Sequence, residues 1–168
     1  MIIIIMGVSG SGKTTVGQQL ATDLGWLYAD GDGFHSAKNI AKMSNGIPLT
    51  DEDRSGWLSI IRQYIKEHIK SKQNAVISCS ALKKQYRRQL QLDSELISFV
   101  YLKGSEALIK KRLQSRSGHF MNVELLASQF EALEEPEHAL LVDIIHSPDQ
   151  ISTTIQESFG LSTKKTEQ

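Results

Sequence analysis

The string Gly7-Val8-Ser9-Gly10-Ser11-Gly12-Lys13-Thr14 follows directly on the apolar run Ile2–Met6 and leads into a helix-like stretch at 14–24. It matches G-x-x-x-x-G-K-[ST] at every position. Glycines at this spacing let the backbone curl until successive N–H groups face one anion. A helix starting at the end of the loop adds its partial positive charge at the same point. Lys13 would then reach the outer phosphates of a nucleoside triphosphate, and the Thr14 hydroxyl would ligate Mg²⁺. A chance glycine-rich turn would not be expected to sit between a buried strand and an amphipathic helix.

The rest of the chain repeats that alternation. Ile2–Met6 is β-branched and non-alternating, as in a strand covered on both faces. Further strands are expected at 26–29, 75–78, 97–102 and 140–145. Helices are expected at 36–44, 51–70, 83–92, 105–115, 123–133 and 148–159. Gly25 stops the first helix. Thr50 and Asp53 form a capping box for the long one, whose buried face carries Trp57, Leu58, Ile61, Tyr64, Ile65 and Ile69. This pattern predicts a single α/β domain over 1–161 with a parallel sheet and a polar tail at 162–168. Ligands of such sheets bind beyond the carboxyl ends of the strands.

Asp30-Gly31-Asp32 stands where the second strand should end. A second strand lying beside the first would bring these acids near the γ-phosphate. Phosphoryl transfer to an alcohol needs a carboxylate to orient the hydroxyl and take its proton, and an acid to help hold Mg²⁺. The same three residues also serve as an ordinary solvated turn. The third strand ends in Ser78-Cys79-Ser80, without the acid that many phosphate-loop ATPases carry there. That weakens a motor or ATPase reading and directs Asp30 toward the metal.

Charge and cysteine content exclude other classes. Nineteen Lys+Arg balance nineteen Asp+Glu, so no general nucleic-acid coat is expected. The charge is nevertheless sorted: residues 83–116 hold 9 basic and 3 acidic side chains, and residues 117–168 hold 2 basic and 9 acidic. The basic segment is where cations for ATP and a carboxylate would be wanted. Arg112 and Arg116 are one helical turn apart, and Ser117-Gly118 after them makes a plausible hinge. The lone Cys79 allows no internal disulfide and is expected to be a small packed side chain. His35 and His119 lack metal-ligand spacing, so zinc is not expected. The apolar N-terminal run is too short for a signal peptide or membrane span, and a cytoplasmic protein without a membrane partner is expected.

Taken together, the sequence resembles the gluconate kinases, a family of small phosphate-loop kinases. The resemblance runs from about Ile2 to Gly160. It is carried by the loop through Thr15, by Asp30-Gly31-Asp32-Gly33-Phe34-His35, and by Asn39 with Lys42-Met43. It continues through Gly46-Ile47-Pro48-Leu49-Thr50-Asp51-Glu52-Asp53-Arg54, Trp57-Leu58, Ser78-Cys79-Ser80-Ala81-Leu82-Lys83 and Tyr86-Arg87. It ends with Arg116-Ser117-Gly118-His119-Phe120-Met121 and Ser128-Gln129 through Glu135-Pro136.

The resemblance implies ATP-dependent phosphorylation of D-gluconate to 6-phospho-D-gluconate. It implies a three-layer, nucleoside-monophosphate-kinase-like fold with five parallel strands in the order 2-3-1-4-5, a small lid at about 113–127, and a homodimer. It also implies residue roles. Gly7, Val8, Ser9, Gly10, Ser11, Gly12, Lys13, Thr14 and Thr15 hold the ATP phosphates. Asp32 contacts the reacting hydroxyl, and Asp30 with Thr14 serves Mg²⁺. Arg54 and Arg87 receive the carboxylate, while His35, Lys42 and His119 make further substrate contacts. Arg112 packs near adenine and Arg116 closes over the phosphates, joining Lys13 and Asp32 as the catalytic set. A shikimate-type kinase acting on another carboxylate-bearing polyol, or an ATP-binding module without turnover, are the alternative readings.

Overall fold

The computed structural model describes residues 1–115 and 124–161. The elements run β1 (Ile2–Met6), α1 (Lys13–Leu24), β2 (Leu27–Asp30), a single 3₁₀ turn (Gly31–Phe34), α2 (Ala37–Ser44), α3 (Asp51–Lys70) and β3 (Ala75–Ser78). They continue as α4 (Lys84–Leu90), β4 (Ile97–Lys103), α5 (Glu106–Gln114), α6 (Glu124–Ala132), β5 (Leu140–Asp143) and α7 (Pro148–Ser158).

All strand pairs are parallel, in the order β2-β3-β1-β4-β5. β1 is the middle strand and is inaccessible to solvent from end to end. Its side chains alternate between two cores. Ile3 and Ile5 pack with Val16, Leu20, Ile109, Ile151 and Ile155 from α1, α5 and α7. Ile2, Ile4 and Met6 pack with Trp57, Leu58, Ile61, Ile65, Tyr86 and Leu90 from α3 and α4. Complete burial of an isoleucine contributes about 1.5–3 kcal/mol, so this strand anchors both helical layers.

β2 lies one strand further out than a neighbour of β1 would: β3 separates the two. Burial explains the order. Every β3 residue is buried and needs a strand on each side, whereas Leu27 of β2 is exposed and suits an edge. The acid pair also departs from a plain strand end. Asp30 closes β2 and caps the 3₁₀ turn by accepting from the Asp32 N–H at 3.0 Å.

Helix boundaries follow local chemistry. Gly25 ends α1 in the left-handed region at φ 65°. Thr50 and Asp53 make the reciprocal capping box at the start of α3. Tyr64 and Ile69, expected on the buried face of α3, are half-buried. The expected lid at 113–127 falls largely on residues outside those described, as do Arg116, His119 and the tail at 162–168.

Candidate active site

The phosphate loop leaves the carboxyl end of β1 and turns into α1. Gly12 caps α1 in the left-handed region (φ 97°), no side chain caps the helix, and its first turn carries no acid. The first-turn N–H groups therefore stay available to an anion. The groove over them is lined by Ser9, Gly10, Gly12, Lys13, Thr14, Thr15 and Asp32. Gly7 N–H donates to the Ser80 carbonyl at 3.3 Å, tying the start of the loop to the segment that follows β3. Lys13 Nζ lies across the loop, donating to the Val8 carbonyl at 3.0 Å.

The acids meet this loop from the edge of the sheet. Asp30 accepts from the Thr14 hydroxyl at 3.0 Å and from the Ser78 hydroxyl at 3.1 Å. Tyr28 donates in turn to Ser78 Oγ at 2.9 Å. Ser78 thus bridges the strand that intervenes between β2 and the loop. Gly31 allows the turn: a Cβ there would stand 2.4 Å from the Ser78 carbonyl oxygen, so only glycine fits between the two acids. The Gly31 carbonyl accepts from Trp57 Nε1 at 2.6 Å. Trp57 also stacks on His35, with ring centroids 4.5 Å apart and planes 11° off parallel. One α3 side chain therefore seats both the acid turn and the histidine.

A second cleft opens beside the groove. Ser9, Lys13, Asp32, His35, Met43, Leu49, Arg54, Ser80, Leu82 and Gln129 line it. Ser9, Lys13 and Asp32 belong to both hollows and mark their junction. Arg54 is anchored by donating to the Leu49 carbonyl and lies 5.8 Å from the centre of the Tyr86 ring. Burial lowers the His35 pKa; Asp32 opposes that shift and Arg54 reinforces it. The imidazole is therefore neutral at pH 7.

The structure brings together most, but not all, of the expected residues. Lys13, Thr14, Asp30, Asp32, His35 and Arg54 cluster as described. Arg112 approaches the loop from α5: its Nη1 lies 4.0 Å from where a Gly12 Cβ would be, and its Nη2 donates to the Ile144 carbonyl at 2.6 Å. Lys42 is spent elsewhere. Its ammonium binds both Asp53 oxygens at 2.7–2.8 Å, joining α2 to α3 and holding Asp53 at about 2.

Arg87, expected as a second carboxylate receiver, is buried and stands outside the cleft lining. Its guanidinium donates to the Ala81 and Leu82 carbonyls at 2.9 Å and to the Glu134 carbonyl at 2.8 Å. Ala81 has φ 42°, a left-handed conformation that costs a residue with a Cβ about 1–3 kcal/mol. Arg87 pins that turn, and the turn presents Ser80 and Leu82 to the cleft.

The sorted charge has a related structural use. Lys103 pairs with Glu135 at 2.8 Å and Lys84 with Glu137 at 3.3 Å, so the acidic segment docks on part of the basic one. A separate cavity of about 360 Å³ lies there, between α4 and residues 135–138, away from the phosphate loop. Cys79 is fully buried, which pushes its thiol up to about 12.

Three site residues lie in stretches that carry the family resemblance but had no role assigned to them. Trp57 read as core, and Ser78 stood where many phosphate-loop ATPases have an acid. Gln129, which accepts from the Ser9 N–H at 2.6 Å, was matched without a function.

A phosphate loop, an acid turn bonded to its threonine and an arginine-bearing cleft, all at the carboxyl edge of a 2-3-1-4-5 sheet, define a small phosphate-loop kinase. A family model described as shikimate kinase matches residues 9–156. The gluconokinase of Gluconobacter oxydans is 48% identical over 80% of this chain and 75% of its own. The thermosensitive gluconokinase of Escherichia coli K12 is 51% identical over 80% of this chain and 72% of its own. The crystal structure of a gluconokinase from Sinorhizobium meliloti superposes with a TM-score of 0.80 at 40% identity, covering 94% of each chain. The chain belongs to the gluconokinase family, within the wider group of shikimate-kinase-like folds. Among the described residues no helix is long and apolar enough to cross a membrane.

Proposed function

We propose that this protein transfers the γ-phosphoryl group of ATP to the 6-hydroxyl of D-gluconate, giving 6-phospho-D-gluconate and ADP. The observation that carries this reading is the junction of the two hollows. There Lys13 and Asp32 face a phosphate groove on one side and, with Arg54, a polar cleft on the other.

In this account Asp32 orients the acceptor hydroxyl and takes its proton as the oxygen–phosphorus bond forms and the β–γ bridge breaks. Lys13 and the loop amides neutralise the charge spread over the phosphoryl oxygens. Arg54 presents a planar fork to the carboxylate. His35, held neutral, offers a hydrogen bond without adding charge. Arg112 lies on the nucleoside side of the loop. Arg116 and His119 are proposed to complete the phosphate and acceptor contacts. Lys42 and Arg87 support the site from outside it.

Mg²⁺ fits the Thr14–Asp30 pair. It takes one or two protein oxygens and fills its shell with water and phosphate, and these two groups supply hard oxygens at the mouth of the groove. Bound there, it would neutralise the outer phosphates. A cytoplasmic homodimer without nucleic-acid partners completes the proposal.

The family model also favours a second reading, a shikimate-type acceptor. ADP release measured across gluconate, idonate and shikimate separates the two. Turnover on gluconate supports the proposal, and turnover on shikimate alone overturns it.

A further inference from the structure

Gln129 stands on α6, outside both the phosphate loop and the acid turn, yet it touches the loop. Its Oε1 accepts from the Ser9 N–H at 2.6 Å. A backbone N–H can only donate, so this contact fixes which end of the amide faces the loop. Ser9 belongs to both hollows, and Gln129 lines the acceptor cleft beside Lys13, Asp32 and Arg54.

One helical turn earlier on α6, Leu125 is buried against Met43 and Leu49. Residues four apart share a helix face. Met43 and Leu49 form the apolar wall of the acceptor cleft, and the Leu49 carbonyl anchors Arg54. A continuous series of contacts therefore runs from Arg54 through Leu49 and Leu125 to Gln129, and from there to Ser9. It joins the group assigned to the acceptor carboxylate with the loop assigned to the phosphates.

We propose that Gln129 is a positioning residue for transfer: its carbonyl oxygen, held on the Ser9 amide, sets the phosphate loop in register with the acceptor wall. The proposal rests on the kinase reading above. A displacement of about 1 Å between reacting groups costs about 10²-fold in rate, so a single hydrogen bond at this joint has leverage on turnover. Each substrate meets mainly its own side of the joint, so the register weighs more on kcat than on KM.

The test uses Gln129→Met, which keeps the length and apolar stem but removes the acceptor, and Gln129→Glu, which keeps an acceptor oxygen. Each is assayed with the sugar acid that the wild-type chain turns over best. For Gln129→Met the expected result is a fall in kcat of about 10-fold or more, with KM for ATP within about 3-fold. ADP released per sugar-acid phosphate formed should rise above one, because a mis-set phosphoryl group is open to water. Gln129→Glu should keep kcat at saturating ATP well above that of Gln129→Met, with a higher KM for ATP from the added charge.

Wild-type kcat and one-to-one stoichiometry in Gln129→Met would overturn the proposal. So would equal losses in the two variants at saturating ATP. If Gln129→Met is too unstable to assay, Gln129→Ala, which also lacks the acceptor, takes its place: uncoupled ADP release supports the proposal, and wild-type kcat with one-to-one stoichiometry contradicts it. Failure of the gluconate reading would appear in the wild-type chain, and failure of this one only in the variants.

Discussion

The Thr14 hydroxyl, in the first turn of α1, donates to the Asp30 carboxylate at the end of β2 at 3.0 Å, although β3 separates β2 from the strand that leads into the phosphate loop. The contact joins the last residue of the phosphate loop to the first of the acid turn. Ser78 and the Asp32 N–H fill further acceptor positions of the same carboxylate, so its orientation is fixed before any ligand arrives. Asp30→Asn should therefore raise the Mg²⁺ concentration for half-maximal activity by about 10–100-fold, the range seen when groups that orient metal ligands are lost. Titration of activity with Mg²⁺ at fixed ATP measures this. An unchanged Mg²⁺ requirement would remove Asp30 from the metal.

Arg54 and Arg87 make opposite predictions. Arg54 faces the acceptor cleft, so Arg54→Met should raise KM for gluconate about 10-fold or more, the loss of one charge-assisted hydrogen bond. Arg87 spends its guanidinium on three carbonyls. Arg87→Met should leave KM nearly unchanged and lower stability by about 2–4 kcal/mol, because buried carbonyls lose their donors around the strained Ala81 turn. Steady-state kinetics and thermal melts on the two variants check the exchange of roles.

His35 gives the stability curve a sign. Burial holds its pKa below 6.5; Asp32 opposes and Arg54 reinforces that shift. The unfolded chain gains a proton near pH 6.5 while the folded chain stays neutral to lower pH. Stability from this group is therefore full above pH 6.5 and declines as the pH falls below it. Tm should drop between pH 7 and pH 5.5, and the drop should be shallower in His35→Gln. Parallel slopes in the two proteins would show that the imidazole does not titrate as described.

Much of the fold was legible because its signals are local. Periodicity marked the helices, Gly25 and Thr50 marked their ends, and the unbroken Ile2–Met6 run marked a strand covered on both faces. The neighbours of β2 were not legible from spacing, since strand order depends on which edge of the sheet each crossover takes. Resemblance supplied the order that periodicity could not.

At the site, residue types with strong chemistry were found and their attachments were not. Asp32 stands out as a carboxylate at a strand end, whereas Arg54 was reached only through the resemblance. Trp57 as hydrogen-bond donor to Gly31, Ser78 as bridge to Asp30 and Gln129 as partner of Ser9 exist only once distant elements meet. Arg87 shows the converse: an arginine in a basic cluster reads as a ligand until its donors are counted against buried carbonyls.

Every proposed role converges on phosphoryl transfer to a sugar-acid hydroxyl beside Asp32. Its most direct test is to incubate wild type and Asp32→Asn with ATP, Mg²⁺ and D-gluconate and follow the product by phosphorus NMR. The predicted result is a single phosphomonoester on the 6-oxygen, formed by the wild type and at least about 10²-fold more slowly by the variant. No phosphorylated gluconate from the wild type, or equal rates from the two proteins, would contradict it.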